Sequence, residues 1–387
     1  MKTTGLVAVL LVCLTAAAAA QVNYDESLIP DYTLPDVLTA QDGTAIETAD
    51  QWRTMRRPEI LELFRTHVFG RAPARPDAMA FEVVRTSPAL DGAAVHKEVH
   101  VCFTTNPDDP CMEMHVFLPA HTPGPVPVFV GIKVFDPAEE PPMPGTPLEE
   151  KTGGLEKYAV KKNPERAEKP VGKLPGRKLA GHIIERGYGF ATIVPDGLSP
   201  DDKDTWRNGV INALEGPHAT DRPADAWGTI GAWAWGLSRA LDYFETDPDA
   251  DASRIIAIGH SRRGKTALWA GAQDQRFALV ISNNSGCTGA AISRRRIGEN
   301  VDAINTRFPH WFCDNYKQYN NNEDALPLDQ HMLLALIAPR PLYVASAIDD
   351  KWADPNGEFL AAVEASSVYA LFGKTGVGVT QPPAIND

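Results

Sequence analysis

The apolar positions along the chain follow two different periods. From Phe81 to Gly131 they form short β-prone runs, Phe81-Glu82-Val83-Val84, His96 to Phe103, Met112 to Leu118 and Val126 to Gly131. Pro, Gly and Asp separate these runs, which predicts four successive strands. Farther along, strand and helix patterns alternate. Gly189 to Val194 reads as a buried strand ending at Pro195-Asp196, and Asp225 to Glu245 spaces Ile230, Trp233, Ala234, Leu237, Leu241 and Phe244 as a helix does. An acidic residue opens that helix, as helix starts prefer. Arg254 to Gly259 predicts a strand, Lys265 to Ala272 a helix, and Ala278 to Ser282 and Pro341 to Ala347 two more strands. Glu358 to Phe372 predicts an amphipathic helix that Gly373 ends. Such alternation implies a parallel sheet covered on both faces, in one domain over residues 21–387.

One stretch departs from both periods. Between Asp136 and Arg177, Pro, Gly, Lys and Glu dominate and no apolar repeat survives. A long surface insertion, perched beside whatever site the sheet carries, is the expectation.

The first residues address the chain. Met1-Lys2 is followed by an apolar run from Leu6 to Leu14 and by the small residues Ala16 to Ala20. This order reads as a cleavable signal peptide over residues 1–20, hence a secreted or periplasmic protein, and a lipoprotein anchored at Cys13 is the weaker alternative. No other run reaches the roughly 18 apolar residues of a membrane span. The formal net charge of -13 argues against nucleic acid and anionic membrane surfaces as partners, since both reward basic proteins. A monomer with an ordinary core is expected. Beyond the signal four cysteines remain, Cys102, Cys111, Cys287 and Cys313, and three pairings are possible. Asn106-Pro107-Asp108-Asp109-Pro110 reads as a turn between strands, which favours Cys102 with Cys111 and leaves Cys287 with Cys313 by elimination. No Cys or His cluster has metal-site spacing, so no structural metal is expected.

The chemistry concentrates at Ile255-Ile256-Ala257-Ile258-Gly259-His260-Ser261-Arg262-Arg263-Gly264-Lys265. A strand runs into a serine bracketed by glycines, and a helix begins at once. In such an elbow the turn is too tight for side chains, the serine oxygen stands clear, and the next amide points to where an oxyanion forms. The spacing is Gly-x-Ser-x-x-Gly, so a serine that merely caps the helix is the competing reading. Arg262 can add a fixed positive charge to the oxyanion hole, and Lys265, one turn on, can reach the same rim.

These residues, together with others downstream, resemble the glucuronoyl esterases of carbohydrate esterase family 15 in their bacterial branch. The resemblance is carried by Gly259 to Trp269, Ser282-Asn283-Asn284-Ser285-Gly286-Cys287, Ser293-Arg294-Arg295, Gly298-Glu299 and Phe308-Pro309-His310-Trp311-Phe312. Leu326 to His331, Ala338-Pro339-Arg340-Pro341-Leu342 and Trp352-Ala353-Asp354-Pro355 continue it. It implies an α/β-hydrolase three-layer sandwich with a mostly parallel central sheet. It also implies cofactor-free hydrolysis of esters between 4-O-methyl-glucuronic acid of xylan and lignin alcohols. By the same resemblance Ser261 is the nucleophile, Arg262 helps the oxyanion hole, and Lys265, Glu299 and Trp352 contact the uronate.

The triad acid has two possible places. Some family members carry a glutamate at the position of Asn284, but an amide cannot stabilise an imidazolium as a carboxylate does. Others use an aspartate after the next strand, where Asp350 is favoured over Asp349, with Asp354 expected to cap the following helix. A histidine should follow the acid in chain order, yet none occurs after His331. The resemblance places the missing strand, the histidine loop and a final helix beyond Asp387, so the chain is expected to be truncated and nearly inactive alone. The rival readings are another carbohydrate esterase, such as an acetyl xylan esterase, and a non-catalytic carbohydrate-binding relative.

Overall fold

The structure, a computed structural model, describes residues 22–133, 176–216 and 221–382. The expected signal and nearly all of the expected insertion lie outside the described residues. A short helix α1 (Ala49–Gln51) leads through π-turns into α2 (Arg57–Phe64) and on to Phe69. The strands β1 (Ala80–Ala89), β2 (Ala94–Cys102), β3 (Met112–Pro119) and β4 (Val126–Ile132) follow. Then come α3 (Gly176–Glu185), β5 (Gly189–Ile193), α4 (Val210–Glu215), α5 (Thr229–Phe244), β6 (Ala250–His260) and α6 (Arg262–Gln273). The chain continues through β7 (Leu279–Asn283), α7 (Val301–Arg307), α8 (Gln330–Ala335), β8 (Leu342–Ala345) and α9 (Pro355–Leu371).

The eight strands form one sheet in the order β1-β2-β3-β5-β4-β6-β7-β8. From β5 to β8 neighbouring strands run parallel. The β1-β2-β3 end, and its junction with β5, is antiparallel. Short loops join β1 to β2 and β2 to β3, as antiparallel neighbours allow, whereas each parallel pair is linked by the dozen residues or more that a crossover needs. The result is an α/β-hydrolase sheet with an antiparallel margin.

Strand alternation sorts the two faces. On β5, Phe190 faces Phe117, Ala94 and the Ala180 and Ile184 of α3. Ala191 and Ile193 face the main core, with Val116, Leu118 and the residues of α5 and α6. All sixteen residues of α5 are buried, more than an amphipathic stripe requires. The reason is that its outer side is covered too. A Cβ on Gly231 would come within 2.8 Å of the Phe69 carbonyl, and Trp235 Nε1 donates to Pro73 O at 2.9 Å. A helix buried on every side must pair its charges, and Arg239 and Asp242 do so at 3.1 Å.

Cys102 and Cys111 form a disulfide that closes the β2–β3 loop, around the turn where Asp109 N donates to Asn106 O. The other expected pairing is wrong. Cys287 and Cys313 are buried free thiols, Cys287 beside Thr288 Oγ1 at 3.6 Å and Cys313 donating to Thr66 O at 3.7 Å. An even cysteine count permits pairing but does not bring two side chains together. Burial pushes the Cys313 thiol up to about 11 and Cys287 higher still, so neither is a reactive thiolate. Among the described residues no helix is long and apolar enough to cross a membrane.

Candidate active site

Ser261 stands between β6 and α6 with φ 56° and ψ −126°, a backbone region that L-residues avoid. Strain of this kind costs about 1–3 kcal/mol and persists only where the surroundings impose it. Here the glycines do so. A Cβ on Gly259 would lie 2.0 Å from Arg263 O, and one on Gly264 3.0 Å from Ser285 Cβ. The strand end and the helix start therefore pass at backbone contact. Ser261 N donates to Asn283 O at 2.9 Å, and Ser261 O accepts from the N–H groups of Gly264 and Lys265. Its Oγ makes no hydrogen bond with any described residue. Helix-first N–H groups have no intrahelical acceptor, which leaves the Arg262 amide directed at the space above the serine.

On the β7–β8 side, the two positions considered for the acid meet each other. Asn284, at φ 45° just past β7, donates from Nδ2 to Asp350 Oδ2 at 2.8 Å. Its Oδ1 accepts from Ala347 N at 3.1 Å, and its own N–H donates to Ala345 O. The amide thus fixes the β8 loop and aims Asp350 into the pocket. Asp349 is exposed and does not line it. Asp354 caps α9 by accepting from Gly357 N at 2.9 Å, and Arg295 holds its other side.

Lys265 and Glu299 form a buried pair rather than a rim. The ammonium is 2% exposed and donates to Ser285 O at 2.5 Å, with Glu299 Oε2 at 3.4 Å. Glu299 reaches this spot because Gly298, at φ 63°, lets the chain lie against Trp352, where a Cβ would meet Trp352 O at 2.4 Å. Glu299 N then donates to Trp352 O at 2.9 Å. Behind them sits Glu358, fully buried, which accepts from Ser285 Oγ and Gly286 N and contacts Ser346 Oγ. Burial raises its carboxyl against the pull of these donors. Its position four residues inside a helix gave no signal in the sequence.

The opposite side was also illegible beforehand. Arg262 extends to Asp201, in the loop after β5, with Nη1 to Oδ2 at 2.5 Å. Its guanidinium lies over the rings of Trp311 at 4.4 Å and Phe308 at 4.8 Å. Trp311 Nε1 donates to Asp201 Oδ1 at 2.8 Å, and His310 Nε2 lies 3.4 Å from that oxygen. Burial alone would raise the Asp201 carboxyl, but the His310 and Trp311 hydrogen bonds and the Arg262 charge bring it down to about 2.

Together these groups enclose a cavity of about 110 Å³ lined by Ser261, Arg262, Lys265, Asn284, Glu299, Phe308, Trp311, Asp350 and Trp352, among others. All six residues expected from the sequence meet there. His260 also lines it but is exposed beside the serine. His310 engages Asp201 and His331 lies 2.9 Å from Pro35 O, and neither lines the cavity. No group of three or more metal-ligating side chains occurs among the described residues. Beside the site, β8 pairs only with β7 among the described strands. Tyr343 and Ile348 are 60% and 54% exposed there, and an apolar groove of about 860 Å³ runs between β8 and α9. Such an edge is a template for another strand.

A family model described as "Glucuronyl esterase, fungi" matches residues 222–373, the part of the chain that builds this cavity. Carbohydrate esterase MZ0003, from an unknown prokaryotic organism, is 45% identical over 365 residues, covering 94% of this chain and 84% of the relative. The solved glucuronoyl esterase from Solibacter usitatus is 45% identical with a TM-score of 0.83, over 93% of this chain and 91% of that one. A solved esterase of carbohydrate esterase family 15 from a marine bacterial metagenome is 44% identical with a TM-score of 0.81, over 95% and 92%. With the elbow and the fold in agreement, the chain belongs to the glucuronoyl esterases of carbohydrate esterase family 15.

Proposed function

We propose that the site hydrolyses esters of 4-O-methyl-glucuronic acid on glucuronoxylan with lignin alcohols, through Ser261 and Asp350. The observation that carries the reading is the placement of the buried Lys265–Glu299 pair and Trp352 on one side of the strained serine. Trp352 offers an apolar face to a sugar ring, while the charged pair supplies donors and acceptors for its hydroxyls. An acetyl ester would need none of these.

In this mechanism Ser261 Oγ attacks the ester carbonyl, and its proton passes to an imidazole whose charge Asp350 stabilises. The Arg262 amide and guanidinium receive the developing oxyanion. The tetrahedral adduct expels the alcohol, which takes the proton, and water then releases the uronate by the same steps. Among the described residues, no imidazole is hydrogen-bonded to Ser261 or Asp350. Residues 1–20, read as an export signal, would deliver the enzyme to the polymer outside the cytoplasm.

The test offers the protein benzyl D-glucuronate and acetylated xylan. Turnover of the glucuronate ester, abolished in Ser261→Ala, is expected. Asp350→Asn should lower kcat by up to about four orders of magnitude, the effect of removing a triad carboxylate elsewhere. Preference for acetylated xylan would replace this reading with that of a general carbohydrate esterase. Uronate binding without turnover would replace it with that of a binding protein.

A further inference from the structure

We infer that Asp201 is a positioning residue for the reaction, holding the Arg262 guanidinium at the serine through a carboxylate-and-aromatic clamp. The inference rests on the reading of Arg262 as an oxyanion donor and adds what makes that donor effective. A free arginine carries about 2 kcal/mol of rotamer entropy. Beside Ser261 it would spend most of its time elsewhere, whereas oxyanion stabilisation depends on donors already in place.

Asp201 divides its two oxygens between two tasks. Oδ2 takes Arg262 Nη1 at 2.5 Å, and Oδ1 takes Trp311 Nε1 at 2.8 Å with His310 Nε2 at 3.4 Å. The second set fixes the carboxylate that fixes the arginine. Trp311 acts twice, since its ring also lies under the guanidinium, stacked on Phe308 with centroids 3.7 Å apart and planes 3° apart. His310 is buried, and its Nδ1 has no partner among the described residues. Asp201 itself does not line the cavity that Arg262 and Trp311 share with the ring-binding residues. Asp201 follows β5, on the β4 side of the serine strand, while Asp350 and Trp352 follow β8 on the other. It should therefore govern the carboxyl end of the substrate and leave the sugar ring alone.

Coulomb's law and positioning predict opposite signs, which makes the inference testable without turnover. Binding of D-glucuronate and of D-glucuronamide to the full chain is measured by calorimetry for the native protein, Asp201→Asn, Arg262→Ala and Trp311→Phe. Removing the Asp201 charge makes the pocket more positive, so charge alone would tighten glucuronate. If Asp201 positions Arg262, Asp201→Asn instead weakens glucuronate roughly tenfold, the order expected for a lost hydrogen bond to a charged group, and leaves glucuronamide within about twofold. Trp311→Phe keeps the ring but loses Nε1–H, and it should shift the ratio in the same direction should Asp201→Asn not fold. Unchanged or tighter glucuronate binding in Asp201→Asn overturns the inference while Arg262→Ala still loses the preference. An unchanged preference in Arg262→Ala, or no preference in the native protein, overturns the role of Arg262 and the inference with it.

Discussion

Lowering the pH from 7.5 to 5 should cost the fold about 2 kcal/mol at one imidazole, His96. His96 is 8% exposed on β2, stacked on Phe117 with centroids 4.5 Å apart and planes 8° apart. Its Nε2 lies 2.9 Å from His115 Nδ1, and His115 Nε2 lies 2.7 Å from Glu113 Oε1. Burial, then the neighbouring His115 and Arg85, depress His96 from the ordinary 6.5 to about 4. A depressed histidine is neutral in the fold and charged sooner in the open chain. Its stabilisation is complete above about 6.5 and disappears as the pH falls through 4. At 1.36 kcal/mol per unit, the loss relative to neutral pH is about 2 kcal/mol at pH 5 and about 3 kcal/mol at pH 4. The assay is urea unfolding of the native protein and His96→Phe at pH 7.5 and 5. Phenylalanine keeps the stack on Phe117 but gives up the bond to His115, so the variant starts less stable at pH 7.5. Other titrating groups are common to both proteins and cancel in the difference. The gap should close by about 2 kcal/mol, or reverse, on acidification. Parallel losses in the two proteins would show that His96 carries no depressed proton equilibrium.

Gly259→Ala should prevent folding or cost more than about 4 kcal/mol, because the new methyl meets backbone with no flexible end to move; soluble protein with native near-ultraviolet dichroism would contradict this. Lys265→Met should destabilise by about 3–5 kcal/mol through the Glu299 carboxylate it leaves unpaired, and Lys265→Met with Glu299→Gln should recover part of that in thermal unfolding. Alkylation followed by mass spectrometry should label Cys287 and Cys313 only after denaturation, and Cys102 and Cys111 only after reduction as well. Labelling of Cys287 in the folded protein would contradict its burial.

The elbow and the strand–helix series were legible because they are local. Gly259, Ser261 and Gly264 are fixed by what one turn can hold, and a β-strand or helix of the core writes its period into adjacent residues. Two features were read too simply. The helix at Thr229–Phe244 shows a stripe in the sequence, yet a second layer from elsewhere in the chain buries its far side. The four early strands look alike, yet the first three pair with one another in turn while Val126–Ile132 lies between two parallel strands that come later in the chain.

The sequence, read with its family resemblance, brought out Ser261 as candidate nucleophile, Asp350 as candidate acid, Lys265, Glu299 and Trp352 as candidate substrate contacts, and one disulfide. Tertiary structure decided everything that joins distant segments. It showed Asn284 to be the residue that aims Asp350, although they stand 66 positions apart. It turned Lys265 from a rim residue into half of a buried pair, and it left Cys287 and Cys313 unpaired. It alone brought Asp201 to Arg262 across 61 positions and Glu358 beneath Ser285 across 73. Periodicity and spacing report neighbours along the chain. A charge–charge contact between loops on different strands leaves no period behind, and only the order of the strands in the sheet makes the two loops meet.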